Sequence, residues 1–425
     1  MMGKFFRKSG NGSKSKTMEQ ALIYKEKEEF KDVHWVLKNA SAKQFYEFRF
    51  DMEDFPNISI QHISGLEETG LAFDNNTISG TPVTNNMYDL DVQFCHIHDQ
   101  NLMETKKIQL FVNADPKDLW KNIPSDKNAA FYKSEEHSFK GSFSDKKMVV
   151  ASKRGRSHAH EGQFREDDFA VRMLPADWNI VAVSDGAGSA SAAREGSRLA
   201  VVTVSDFFNS QEILDQIEHN VNILYNRQSS AEEQREAQQN VINILSQSVL
   251  YVHHTLEKTA SENALSMNDL HATLIFTLLK KFSFGYIILS FGVGDCPINL
   301  INSDFSDVQL LNRMDVGEFG GGTRFITMKE IFDDTMFSRF RITCVENFSY
   351  LVLMTDGIYD PKFTTENKLE DTDRWKLFFE DLAGNNDDRT KVDFINDEKI
   401  DEELLGWSDF WSRGNHDDRT LAIIY

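Results

Sequence analysis

The chain has 425 residues, 40% of them hydrophobic and 33 of them Phe, which is enough to bury cores for about two or three domains. A formal net charge of −21 argues against nucleic acid or an anionic membrane surface as a partner, because both need a basic footprint. Cys95, Cys296 and Cys344 lie far apart with no C-x-x-C spacing, which suits a reducing compartment and argues against a cysteine-based zinc site.

The N-terminal run MMGKFFRKSGNGSKSK is basic but lacks the apolar core of a signal peptide, and no apolar run is long enough to span a bilayer. The expectation is a cytoplasmic protein with a disordered basic leader over residues 1–28. From 29 to 115 the texture changes to HWVLKNA, FYEFRFDM, ISIQHISG, YDLDVQFCHIH and KKIQLFVNA. These short aromatic and β-branched runs, separated by Asn, Asp, Gly and Pro, predict a small all-β sandwich. Residues 116–146 show no clear period and read as a linker. Beyond 147, strand patterns (KMVVAS, NIVAVSD, HATLIFTLLKK, FGYIILSFGVGD, YLVLMTD, RTLAIIY) alternate with helix patterns around 191–209, 211–227 and 231–258. The helices run nearly in succession and the strands between 271 and 301 are close enough for hairpins. That predicts an α+β fold, with an antiparallel sheet covered by helices rather than a parallel βαβ repeat.

Several apolar strands end in carboxylates. VAVSDGAGSA places Asp185-Gly186 after one, LVLMTDGIYD places Asp356-Gly357 after another, and FGVGDCPINL places Asp295 after a third. NHDDRTLAIIY sets Asp417 and Asp418 before a strand, and REDDF sets Glu166, Asp167 and Asp168 before the strand leading to Asp185. One Asp-Gly is an ordinary turn. Several strand-end carboxylates in one sheet would crowd together, and two at about 4 Å repel by about 4 kcal/mol at an effective dielectric near 20. Such a cluster calls for hard divalent cations, Mg²⁺ or Mn²⁺, which take oxygen ligands.

Two family resemblances accompany these readings. GLAFDNNTISGTPVTNNMYDLDVQF resembles the bacterial immunoglobulin-like, cadherin-type repeat, which implies a binding or spacing module. From 147 onward, SHAHEGQFREDDF, VAVSDGAGSA, HATLIF, FGVGDCPINLI, GEFGGGTRFIT, LVLMTDGIYD and HDDRTLAII resemble, in order, the motifs of metal-dependent Ser/Thr protein phosphatases of type 2C, bacterial branch. The resemblance implies a central β-sandwich flanked by helices and hydrolysis of phosphoserine and phosphothreonine by water activated between two Mn²⁺ or Mg²⁺ ions. It implies that Asp185 bridges the ions with help from the Gly186 carbonyl, and that Asp356 and Asp417 hold one of them. Glu166 and Asp167 are implied to serve the other ion, and Asp295 a weaker third. Its implied partners are a phosphorylated protein and, behind it, a Ser/Thr kinase.

The proton donor and the phosphate-gripping residue stay open at this level. Ala187 occupies the place where relatives often carry His, which leaves His158 and His160 as candidates. Arg165 and Arg156 both lie near the first motif. Thr273 matches a position near the metals, and Asp418 a supporting one. Two other readings remain: a catalytically dead phosphatase fold used for binding, and a metal-dependent phosphohydrolase of a small molecule.

Overall fold

The computed structural model describes residues 12–302, 305–315, 322–333, 335–412 and 414–425, and divides into two units, Met1–Leu119 and Trp120–Tyr425. In the smaller unit, helix α1 (Gly12–Asp32) precedes β1 (Ala40–Ser41), β2 (Tyr46–Arg49), β3 (Ile58–Ser64), β4 (Leu71–Asp74), β5 (Thr77–Gly80), β6 (Asn86–His96) and β7 (Asp99–Asn113). The strands form two sheets, β1-β7-β6-β3 and β2-β5-β4. Alternate residues of β6 and β7, such as Leu90, Val92, Ile108 and Leu110, point into the shared core.

Residues 12–28 were expected as disordered leader, but the described part belongs to α1; residues 1–11 lie outside the described residues. The reason is tertiary. Phe30 is fully buried against Trp35, Phe55 and Phe94, and Lys106 reaches from β7 to donate to the carbonyls of Phe30, Lys31 and Val33 at the helix end.

The larger unit runs β8 (Glu136–Phe143), β9 (Lys146–Lys153), α2 (Arg156–Glu161), β10 (Asp168–Met173), β11 (Asn179–Ser184), α3 (Ala193–Phe207), α4 (Gln211–Leu224), α5 (Ala231–Glu262), β12 (Leu274–Phe282), β13 (Gly285–Val293), β14 (Ile298–Ile301), β15 (Val308–Leu310), β16 (Phe340–Val345), β17 (Tyr350–Met354), α6 (Asp356–Phe363), α7 (Thr372–Leu382), α8 (Ile400–Trp407) and β18 (Arg419–Ile424). Its sheets, β10-β11-β12-β13-β16 and β15-β14-β17-β18-β9-β8, are antiparallel throughout.

The two sheets pack face to face, and helices cover both outer sides. On β11, Val181 and Val183 join Val150, Ile288, Leu353 and Ala422 between the sheets, while Ile180 and Ala182 turn outward to α3–α5. On the other side, Val352, Met354, Leu421 and Ile423 turn outward to Ile358, Trp375, Phe378, Leu404 and Trp407 of α6–α8. Both faces of these strands are buried, so they read as unbroken apolar runs.

The stretch 116–146, expected as a linker, is largely part of this unit. Residues 136–143 form edge strand β8, whose exposed face carries polar residues and hides the strand period. No helix among the described residues is long and apolar enough to cross a membrane.

Candidate metal centre

Strand register brings the acidic motifs to one end of the sandwich. In the five-stranded sheet, Asp168 opens β10 opposite Ser184 at the end of β11. Asp185 follows, held by β12: its N–H donates to Thr273 Oγ1 (2.9 Å), and the Thr273 N–H donates back to the Asp185 carbonyl (2.8 Å). Gly186 continues the pairing as a single bridge to Ala272. A Cβ on Gly186 would sit 2.8 Å from the Glu166 carbonyl oxygen, so glycine is what lets the Asp185 and Glu166 segments touch.

In the six-stranded sheet, β17 and β18 are neighbours. Asp356 begins the helix after β17, and Asp417 and Asp418 precede β18. A Cβ on Gly357 would lie 1.9 Å from the Asp418 carbonyl oxygen, so no larger residue fits there unless the backbone moves. Asp418 is 2% exposed and accepts from the N–H groups of Gly155 (2.5 Å) and Glu166 and from His158 Nδ1 (3.0 Å). It ties the first acidic motif to the last. Asp167 is 1% exposed, and its Oδ2 accepts from the hydroxyls of Thr355 and Thr420, each at 2.8 Å.

Four carboxylate oxygens in this region are buried and lack a hydrogen-bond partner: Glu166 Oε2, Asp167 Oδ1, Asp295 Oδ1 and Asp356 Oδ1. A buried carboxylate oxygen without a donor is costly unless a cation meets it. The electrostatics agree. Burial, then the charges of Asp356, Asp167, Asp417 and Asp295, push the Asp185 carboxyl well above its usual range. Burial, then Asp417, Asp295 and Asp167, do the same to Asp356. Burial is also the main cause that lifts Glu166 to about 8 and Asp167 to about 7. Asp417, at the open rim, is raised by partial burial and by Asp418, and Asp295 by burial. Ligand atoms of Asp185, Asp295 and Cys296 lie within 4.8 Å of one another, as do those of His158, Asp417 and Asp418. The carboxylates that dominate these groups, with their mutually repelling charges, fit hard divalent cations.

Asp185, Asp356, Asp417, Asp295, Glu166 and Asp167 therefore share one electrostatic neighbourhood. His158 faces it from α2: burial opposes its charge, but Asp418 outweighs this and raises the imidazole to about 10. His160 is turned away, its Nδ1 accepting from the Lys121 N–H and its ring against Trp120.

Arg165 departs from expectation. It is 2% exposed and points inward, donating to the Ser134 carbonyl (3.1 Å), Ser152 Oγ (2.6 Å) and the Asp167 carbonyl (2.7 Å), so its guanidinium does not face a substrate. Arg156 donates to the carbonyl and carboxylate of Asp409. Of the motif GEFGGGTRFIT, residues 317–321 lie outside the described residues; the Thr323 hydroxyl donates to Asp295 Oδ2 (2.8 Å).

Three site residues escaped the sequence reading. Asp360 lies one helical turn after Asp356 and is raised by burial and then by Asp295; the spacing D-x-x-x-D on a helix start was the available signal. Thr355 and Thr420, which hold Asp167, left no local signal.

The protein-family profile described as Protein phosphatase 2C matches residues 154–404. The chain belongs to the protein phosphatase 2C family. No curated protein matches it in sequence. Among solved structures, this phosphatase-family chain is similar to a bacterial serine phosphatase at 15% identity (69% of this chain, 97% of that one, TM-score 0.39). It is also similar to the serine/threonine phosphatase Stp1 from Staphylococcus aureus at 15% identity (69% and 95%, TM-score 0.37) and to the S. agalactiae serine/threonine phosphatase at 15% (65% and 99%, TM-score 0.36).

Proposed function

We propose that the chain hydrolyses phosphoserine and phosphothreonine in proteins, with Mn²⁺ or Mg²⁺ held by Asp185, the Gly186 carbonyl, Asp356 and Asp417, and with Glu166, Asp167, Asp295 and Asp360 around them. The observation that carries this reading is the convergence of strand-end carboxylates whose buried oxygens Glu166 Oε2, Asp167 Oδ1, Asp295 Oδ1 and Asp356 Oδ1 lack any donor. When bound, two such ions neutralise a phosphomonoester dianion and acidify water.

The chain's own residues do the rest. Asp167, held by two threonine hydroxyls, presents one fixed oxygen to the site. His158, kept protonated at neutral pH by Asp418, is the group able to give a proton to the leaving Ser or Thr oxygen. Arg165 serves as a brace beneath Asp167 rather than as the phosphate grip.

The N-terminal unit, with its two facing sheets, is read as an immunoglobulin-like module that binds a protein partner. Three free cysteines suit a cytoplasmic location. The testing experiment is phosphate release from a phosphothreonine peptide and from p-nitrophenyl phosphate by the full chain, stripped of metal and then supplied with Mn²⁺. Metal-dependent release from the peptide is expected. Metal binding without turnover of either compound points to a dead binding module. Turnover of p-nitrophenyl phosphate alone points to a small-molecule enzyme.

A further inference from the structure

Lys133 lies upstream of residues 154–404, in a stretch whose sequence shows no regular period, yet it is only 8% exposed. Burying an ammonium costs several kcal/mol unless its hydrogens are met. Here they are met by groups that belong to the metal centre. Lys133 Nζ lies 3.1 Å from Asp168 Oδ2, 3.0 Å from the Asp167 carbonyl oxygen, 3.1 Å from Ser197 Oγ and 3.5 Å from the Glu166 carbonyl oxygen. Ser197, on α3, donates its own hydroxyl to the Glu166 carbonyl.

Neighbouring residues make the same connection. The Ser134 carbonyl accepts from Arg165, and the carbonyls of Ala130 and Phe131 accept from Arg194 (2.8 and 3.0 Å). In the same two residues, Glu166 Oε2 and Asp167 Oδ1 are buried oxygens that lack a partner. One cation thus holds the carbonyls of the two residues whose carboxylates serve the site.

We propose that Lys133 is a positioning residue of the metal centre: it clamps the Glu166–Asp167 backbone so that both carboxylates face the cations, and residues 130–134 are therefore a wall of the active site. This rests on the phosphatase reading above. Loss of a lysine that served only as the ion-pair partner of Asp168 would change stability alone. Loss of a clamp changes metal affinity and turnover, while substrate binding is kept.

The test uses the full chain. Lys133→Met is compared with the parent by calorimetric Mn²⁺ titration, by kcat and KM on p-nitrophenyl phosphate, and by Tm. The expected result is Mn²⁺ affinity and kcat each reduced about tenfold or more, with KM changed less than about threefold. Lys27→Met is the control: that lysine is also buried but sits in the N-terminal unit, and it is expected to lower Tm and leave Mn²⁺ affinity alone. The proposal is overturned by a folded Lys133→Met chain that matches the parent in Mn²⁺ affinity and kcat, or by a Lys27→Met chain that loses as much affinity. If Lys133→Met does not fold, Ser197→Ala decides: a loss of Mn²⁺ affinity of about threefold or more supports the clamp, and parent-like affinity overturns it. A parent that neither binds Mn²⁺ nor turns over substrate refutes the phosphatase reading and this inference with it. A competent parent with unaffected variants refutes the inference alone.

Discussion

The two units differ in how completely buried charge is met. In the N-terminal unit, Lys27 is 1% exposed and meets Asp99 (3.0 Å), Glu104 (3.6 Å) and the Leu102 carbonyl (3.3 Å), while Lys106 is absorbed by the carbonyls that end α1. Every one of these contacts joins a helix to a sheet. In the phosphatase-family unit, Glu166, Asp167, Asp295 and Asp356 keep buried oxygens with no partner and sit among like charges. A partnered buried charge is costly to break, and an unpartnered one is a standing cost that a bound cation can relieve. Buried lysines are met by protein groups in both units, and among the described residues only the larger one leaves buried carboxylate oxygens open at its acidic cluster.

The contrast breaks most sharply at Asp185. Asp185→Asn removes the central carboxylate of the repelling group and is expected to lower kcat at least about a thousandfold, about 4 kcal/mol, with an unchanged circular dichroism spectrum. Retained turnover would mean Asp185 takes no part in the reaction. The N-terminal counterpart is Lys27→Met, expected to cost on the order of 3 kcal/mol of stability in denaturant titration while p-nitrophenyl phosphate turnover stays within about twofold. A drop in turnover would show that the two kinds of buried charge are not separable.

Metal should convert the second kind of charge into the first. Mn²⁺ at about 100 times its Kd adds about 2.7 kcal/mol, read as a rise in Tm. The effect has a defined pH dependence. Burial and neighbouring charge hold Glu166 near 8 and Asp167 near 7, above their unfolded values of 4.5 and 3.8. The native metal-free protein then binds more protons than the unfolded chain, so these groups make it less stable as pH rises from about 4 to about 8. Mn²⁺ must displace those protons. Its affinity should fall as pH drops through that window, with proton release visible as buffer-dependent heats in calorimetry. A Tm rise that is the same at pH 5 and pH 8 would contradict this. The smallest expected effect is at the rim: Asp360→Asn should weaken Mn²⁺ binding by about threefold, less than about 1 kcal/mol, because that side chain is only partly desolvated and stays open to solvent. No change in the Mn²⁺ titration would remove Asp360 from the site.

Much of the phosphatase-family unit was legible because its strands are buried on both faces and so appear as apolar runs that stop at Asp185, Asp295 and Asp356. Helices α3, α4 and α5 were legible from their spacing. The C-terminal helices were not: α7 fully buries only Trp375, Phe378 and Leu382, and α8 only Ile400, Leu404 and Trp407, among polar neighbours and short turns. β8 was hidden by its exposed edge, and α1 by a polar sequence whose packing depends on Phe30 and Lys106 meeting across the unit.

At the site, the carboxylates could be listed from sequence, but the cations beside them could not be ranked. Arg165 and Lys133 look alike as isolated basic residues; only the fold turns both inward against Asp167 and Asp168.

What the amino-acid order determined alone is local: which runs become strands, where each ends in an acid, and the ordered motifs of a metal-dependent phosphatase. What the tertiary structure alone decided is whether each charge finds a partner. Strand period and turn chemistry act over a few residues, whereas partnering depends on contacts between segments such as 133 with 168 and 167 with 420, which no local pattern encodes.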